Sequence, residues 1–234
     1  MTPIHSTIRF ERKLIPHGFT LEEVLLWVRL HPALFQEIYA ERVINNVYLD
    51  SPGLRSYHEH VNGDANRAKV RLRWYGAFSG PVERPQLEYK IKRGLVGAKA
   101  TCALPPFEIN GHLGRDAFEV TLRHDSLPAE TRLGLLGLEP ALVNRYQRRY
   151  FASACGRFRL TVDWGLRFMS PQRPHEWLPV LPPLDSMVVM ELKYASDQAD
   201  QAGTITNGFP FRVTRCSKYI LGIQALVAHG WVEI

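Results

Sequence analysis

Cysteine is scarce: Cys102, Cys155 and Cys216 are the only three in 234 residues, too few and too irregularly spaced for a disulfide framework or a structural zinc site. Their scarcity points to a reducing compartment. Long apolar runs are missing as well, none approaching the ~20 residues that cross a bilayer. The first ten residues lack the basic start and apolar stretch of a signal peptide, so a cytosolic chain is expected. No internal repeat, low-complexity tract or composition shift divides the sequence, and one domain spanning 1–234 is the economical reading. What is present is a globular composition, 45% hydrophobic and 22% charged, which excludes collagen-like and disordered chains. The 29 Lys and Arg against 23 Asp and Glu leave +6, an excess that suits an anionic partner but is too modest to imply nucleic acid.

Helix signals are few. Thr20 and Glu23 form a capping box ahead of Leu21, Val24, Leu25 and Val28. Pro32 predicts a second short helix through Phe35 and Ile38. Further helices are expected within 128–138 and from Ser217 to Ala228. Most of the remainder predicts strands, near 5–13, 42–50, 67–75, 86–92, 98–104, 116–123, 143–151, 157–164, 187–194 and 209–215, separated by Gly, Pro and Asn turns. The proline-rich stretch 169–185 reads as an irregular loop. The expected class is α+β, mainly antiparallel.

Side chains two apart on a strand share a face. Lys69, Arg71, Arg73 and Tyr75 therefore stand opposite Ala68, Val70, Leu72 and Trp74. Glu88, Lys90 and Lys92 share a face, as do Arg157, Arg159, Thr161 and Asp163, Glu191 and Lys193, and Arg9, Glu11 and Lys13. A half-buried sheet ordinarily alternates apolar-in and polar-out. Here, however, the polar faces carry cations on strand after strand, roughly 6.6 Å apart along each, an arrangement that suits a polyanion lying among them. Closing the sheet would turn these faces toward one lumen, a β-barrel tunnel with a basic interior and peripheral helices. Arginine forks and lysine point charges match phosphate oxygens. The sparse carboxylates Glu11, Glu88, Asp163 and Glu191 could hold Mg2+ or Mn2+, which prefer oxygen ligands.

The ordered motifs Arg9-Phe10-Glu11-Arg12-Lys13, Val47-Tyr48-Leu49-Asp50, Lys69 to Tyr75, Glu88-Tyr89-Lys90, Tyr146-Gln147-Arg148, Arg159 to Asp163, Glu191-Leu192-Lys193 and Ser217-Lys218-Tyr219 resemble the catalytic domain of the vacuolar transporter chaperone family, within the triphosphate tunnel metalloenzymes. The resemblance implies an antiparallel tunnel that builds inorganic polyphosphate from the terminal phosphate of ATP with Mn2+ or Mg2+. It implies that Arg71, Arg73, Arg148 and Lys218 are catalytic. Lys13, Lys69, Lys90, Lys99, Arg159, Lys193 and Arg215 would bind phosphates, with Tyr146 and Ser217 as hydroxyl donors. Glu191 would be the principal metal ligand, with Glu11 and Glu88 assisting the metal or balancing charge. Arg9 stands where the hydrolytic branches carry a first glutamate, which weakens a hydrolytic metal site. A separate membrane protein would supply any export step and could hold the chain at the inner membrane face.

Other candidates are weaker. Asp163 reads as a strand-end or turn carboxylate. His58 and His60 lack a third metal ligand and lie in an expected exposed loop. Cys155 shows no partner histidine, and Cys216, although beside Arg215 and Lys218, reads as a packing residue. Trp74, Tyr89, Phe158 and Trp164 fall on apolar faces, where packing explains them. Three activities stay open: a polyphosphate polymerase, a tripolyphosphate or nucleoside triphosphate hydrolase, and a non-catalytic phosphate-chain binder.

Overall fold

Alternating charged and apolar residues produce the architecture seen in the computed structural model, which describes residues 10–93, 96–110, 115–125, 127–174, 176–179 and 186–234. The strands are β1 (Phe10–Leu14), β2 (Gln36–Asp50), β3 (Asn66–Tyr75), β4 (Gly80–Val82), β5 (Gln86–Arg93), β6 (Val96–Ala103), β7 (Phe107–Ile109), β8 (Glu139–Ala152), β9 (Arg159–Met169) and β10 (Val189–Tyr194). The helices are α1 (Leu21–Leu30), α2 (Arg55–Val61), α3 (Arg115–Leu122), α4 (Ala129–Gly134), α5 (Ala199–Asn207) and α6 (Lys218–Ala228). Eight strands form one antiparallel sheet in the order β1-β10-β9-β8-β2-β3-β5-β6, while β4 and β7 pair separately.

The expected closed barrel is not formed: β1 and β6 are the two edges of the sheet. The free edge of β1 is instead met by the segment before α6, through a Leu14–Val213 bridge and the Thr214 amide donating to the Lys13 carbonyl at 2.8 Å. Those contacts use the backbone groups that closure would need. The sheet still curls far enough for side chains to span the gap. Lys90 on β5 lies 2.5 Å from Glu11 on β1, and Lys69 on β3 donates to Ser217 at 2.8 Å.

Apolar residues divide among three clusters. Two lie on the convex side: Phe158, Leu160, Val162, Met190 and Leu192 pack with Val24 and Val28 of α1 and Ile205 of α5, and Val47, Val70, Leu72, Trp74 and Leu87 pack with Phe118 of α3. The third fills part of the concave face, where Ile44, Tyr48, Leu142, Tyr146 and Phe168 meet Tyr57 of α2 and Tyr219 and Ile223 of α6. Helix α6 approaches so closely that a Cβ at Gly222 would stand 2.4 Å from Leu142. Gly165, at φ +62°, sits where the β8–β9 register shifts, and the shift turns Leu166 and Phe168 onto the concave side.

The Thr20–Glu23 capping box is present, Thr20 Oγ1 accepting the Glu23 amide at 3.3 Å. The helix expected from Pro32 is not: Leu34 adopts φ +51°, which breaks a helix, and β2 begins at Gln36. The stretch 116–123 is mostly α3 rather than a strand, with Phe118 and Thr121 buried three residues apart on one side. Residues 209–215 contribute only the Val213 bridge, and β1 is described from Phe10, so Arg9 lies outside the described residues. His58 and His60 belong to α2, not to a loop. That helix has no local side-chain cap; the buried Asp50 carboxylate accepts the Ser56 and Tyr57 amides instead. The Tyr219 hydroxyl donates to the same carboxylate, tying α2 to α6. Helix α5 had no clear signal in the sequence.

Candidate active site on the concave face

Directly opposed residues share a face across an antiparallel ladder, so the register assembles the polar site. One rung carries Lys13, Glu191, Thr161 and Tyr150; the next carries Glu11, Lys193 and Arg159; Arg148 stands opposite Asp163. On the other half, Arg73 faces Gln86, Arg71 faces Glu88, Lys69 faces Lys90 and Arg67 faces Lys92. Residues expected on polar faces of separate strands thus converge on one concavity. Within or bordering it are nine cations (Lys13, Lys69, Arg71, Arg73, Lys90, Lys99, Arg148, Lys193, Lys218) and four carboxylates (Glu11, Glu88, Asp163, Glu191).

Glu88, only 3% exposed, anchors one group. Arg71 reaches it at 2.5 Å, Lys99 at 2.8 Å and Arg73 at 3.4 Å. Burial alone would raise its carboxyl, but Arg71, Arg73 and Lys99 overcome that and hold it well below the carboxylate range. Arg73 also donates to Asn46 Oδ1 at 2.8 Å and to the Tyr146 hydroxyl at 3.2 Å. Arg71 donates to the Tyr48 hydroxyl.

Asp163 anchors the second group, and its expected role as a strand-end carboxylate is overturned. It is fully buried in the middle of β9, which continues to Met169. Arg148 grips it through both oxygens, at 2.5 and 2.6 Å, and Lys218 donates to it at 2.6 Å. Against the burial that would raise it, these cations keep Asp163 ionised below its usual range. Lys218 is held charged above its ordinary value, where Asp163 and Glu191 outweigh desolvation. The cationic ends of Arg148 and Lys218 also lie 5.4 and 4.8 Å from the Tyr146 ring centroid.

Glu191 is different. Lys13, Lys193, Arg148 and Lys218 surround it at 3.4 to 3.8 Å, longer than charge-assisted hydrogen bonds. Those four cations prevail over burial and keep it strongly ionised. Glu11 shares Lys13 with it at 3.7 Å and lies within electrostatic range, whereas Glu88 stands apart among its arginines. Among the described residues no three His, Cys, Asp or Glu side chains cluster as a ready-made metal site. Glu191 with Glu11 nevertheless suits an ion that takes one or two carboxylates and completes its shell with water and substrate phosphate oxygens, as Mg2+ does. The Thr161 hydroxyl, on the Glu191 rung, is buried without a hydrogen-bond partner among the described residues.

Lys69 has no carboxylate partner among the described residues; burial and the neighbouring Lys13, Lys90, Arg67 and Arg71 push its ammonium down to about 7. Ser217 caps α6 and accepts from Lys69. Arg159 and Arg215 are exposed and are not drawn into these contacts. Sequence reasoning gave no role of their own to Tyr48 or Asn46 and set His60 aside as a weak metal candidate in a loop. The first two lie on the same face of β2 as Asp50, so their parity was the available signal. His60 lies on α2, which was not foreseen; burial, then Lys69, Arg67, Lys13 and Lys92, lower its imidazole to about 4. Cys216 is pushed up by burial, in keeping with a packing role. No helix among the described residues is long and apolar enough to cross a membrane.

Solved structures share this architecture. An adenylate cyclase candidate from Vibrio parahaemolyticus superposes with a TM-score of 0.51 at 13% identity, covering 93% of this chain and 99% of its own. The adenylyl cyclase candidate HpAC1 from Hippeastrum, whose dominant activity is described as triphosphatase, gives 0.51 at 13% identity over 97% and 98%. At that identity the likeness establishes the fold alone. No curated protein sequence matches. The VTC domain profile, however, matches residues 8–227, nearly the whole concave-face assembly and the helices that flank it, and on that match this chain belongs to the VTC-domain family.

Proposed function

We infer that this chain transfers the terminal phosphoryl group of ATP onto a growing inorganic polyphosphate. The observation that carries the reading is the excess of cations over carboxylates on one concave face, with Arg73 and Arg148 buried and ordered there. Membership of the VTC-domain family supports it. Phosphoryl transfer asks the protein chiefly for positioning and charge stabilisation. Arg71, Arg73 and Arg148 hold the triphosphate, fixed in place by Glu88 and Asp163. Lys13, Lys90, Lys99, Lys193 and Lys218 supply further positive charge, Tyr146 and Ser217 supply hydroxyls, and Arg159 and Arg215 extend the basic rim. Glu191, assisted by Glu11, would hold Mn2+ or Mg2+, which would supply positive charge beside the phosphoryl oxygens. The terminal oxygen of the acceptor chain attacks the γ-phosphorus in line, the bond to the β-bridging oxygen breaks and ADP departs. The attacking oxygen is already anionic, so no general base is required.

The test incubates the purified chain with ATP and Mn2+ and sizes the products by gel. Long polyphosphate is the expected result. Orthophosphate without chain growth overturns the polymerase in favour of a triphosphate hydrolase, the activity described for the Hippeastrum protein. Binding without turnover leaves a phosphate-chain receptor. A cytoplasmic location, with recruitment by a separate membrane protein, completes the proposal.

A further inference from the structure

Charge on the concave face is not evenly balanced. Beyond the Arg71–Glu88 rung, the β3–β5 ladder sets cation against cation twice in succession, Lys69 opposite Lys90 and then Arg67 opposite Lys92. Like charges directly across a ladder destabilise it. Only Lys90 of these four finds a carboxylate among the described residues, Glu11. Arg67 donates to the Asp64 backbone carbonyl at 2.6 Å and Lys69 to the Ser217 hydroxyl. Arg67, Lys69 and Lys92 are half-buried and Lys90 is exposed; by alternation all four share the face opposite Val70 and Leu72, which pack into the convex core. Nearby His60 is kept uncharged by burial and by Lys69, Arg67, Lys13 and Lys92, so it adds no positive charge of its own to the patch.

We propose that Arg67 and Lys92 form a second polyanion subsite, which continues the phosphate path beyond Arg71 and selects inorganic polyphosphate chains over a free triphosphate. Arg67 lies two rungs from Arg71, about 13 Å along the strand, the reach of a chain several phosphates long. A bound chain neutralises both opposed pairs at once, which converts the repulsion built into the ladder into chain affinity. The proposal rests on the phosphate-handling reading above.

The test measures binding of tripolyphosphate and of long-chain inorganic polyphosphate by calorimetry at fixed ionic strength, for the wild type and an Arg67→Gln/Lys92→Gln variant. Long-chain affinity should fall about ten-fold for each cation removed, while tripolyphosphate affinity changes less than about two-fold. The variant should melt no lower than the wild type, since it loses an opposed like-charge pair; the single Lys92→Gln variant, carrying half the effect, serves if the double one does not fold. Equal weakening of both ligands assigns the pair to the triphosphate grip and overturns the proposal, as does no change in either. A wild type that binds no tripolyphosphate overturns the functional reading as well, so the two failures are distinguishable.

Discussion

Asp163 and Glu191 lie one rung apart on neighbouring strands, share Arg148 and Lys218, and use those cations in opposite ways. Asp163 accepts three charge-assisted hydrogen bonds at 2.5 to 2.6 Å and has no exposed surface. Glu191 touches the same two groups at 3.7 and 3.8 Å and keeps a margin of exposure. A carboxylate with three of its roughly four lone-pair positions taken by buried cations and no exposed surface has little to lend a metal, and its work is to fix where the cations point. One held loosely by four cations stays ionised yet free to ligate. On the proposed metal reading, two acids in one cationic field thereby divide positioning from ligation, and Glu88 falls on the positioning side with Asp163.

The sharpest way to break this comparison is Asp163→Asn. Arg148 and Lys218 would be left buried and largely uncompensated, and stability should fall by about 3–5 kcal/mol, read from the urea midpoint. Glu191→Gln, whose contacts to the cations are longer and less direct, should cost less in the same titration, while divalent-ion affinity in the presence of tripolyphosphate drops at least about a hundred-fold. Reversed stability costs would show that the roles have been exchanged. Acid provides the next largest effect. Glu88, Asp163 and Glu191 are held below the ordinary values of 4.5, 3.8 and 4.5 by their cations despite burial. Their stabilisation is complete above those values and is lost as pH falls through the depressed native ones. Melting temperatures should therefore decline gently from pH 7 to 5, where the unfolded chain protonates His60 and the folded one resists, and fall steeply below about 4.5, with a shallower slope in Asp163→Asn.

Much of this geometry was legible in the sequence, because alternation fixes which residues share a face without knowledge of the partner strand. The cationic faces of β3, β5, β9 and β10 were assigned by that rule alone. What alternation cannot state is where a strand stops. Asp163 looked terminal because the strand pattern was read only to residue 164, whereas the structure carries β9 through Gly165 to Met169 with a register shift. Helix α2 was invisible for a similar reason, as its cap comes from Asp50, five residues before the helix begins, and its fastening from Tyr219 on α6. Barrel closure was inferred from the faces, yet it depends on which backbone reaches β1 first, and that is the Val213–Thr214 segment.

The smallest expected effect concerns the rung where the ladder has no acid of its own. Lys69 faces Lys90, with Lys13, Arg67 and Arg71 near enough to disfavour its charge, neutral His60 beyond them and only the Ser217 hydroxyl as a hydrogen-bond partner. Its value of about 7 leaves it mostly neutral at pH 8, with the proton lost to burial and repulsion. A phosphate chain brings the missing negative charge, so binding should recharge Lys69 and take up close to one proton at pH 8 but little at pH 6. Calorimetry in buffers of different ionisation enthalpy reads that uptake directly, and tripolyphosphate affinity should decline by up to about ten-fold per pH unit above 7. Lys69→Arg keeps a charge that does not titrate, and should abolish both the uptake and that part of the decline while leaving affinity at pH 6 nearly unchanged. Uptake that persists in Lys69→Arg would move the titrating group elsewhere and leave Asp163 and Glu191 as the only pair of like groups that this cationic field sets apart.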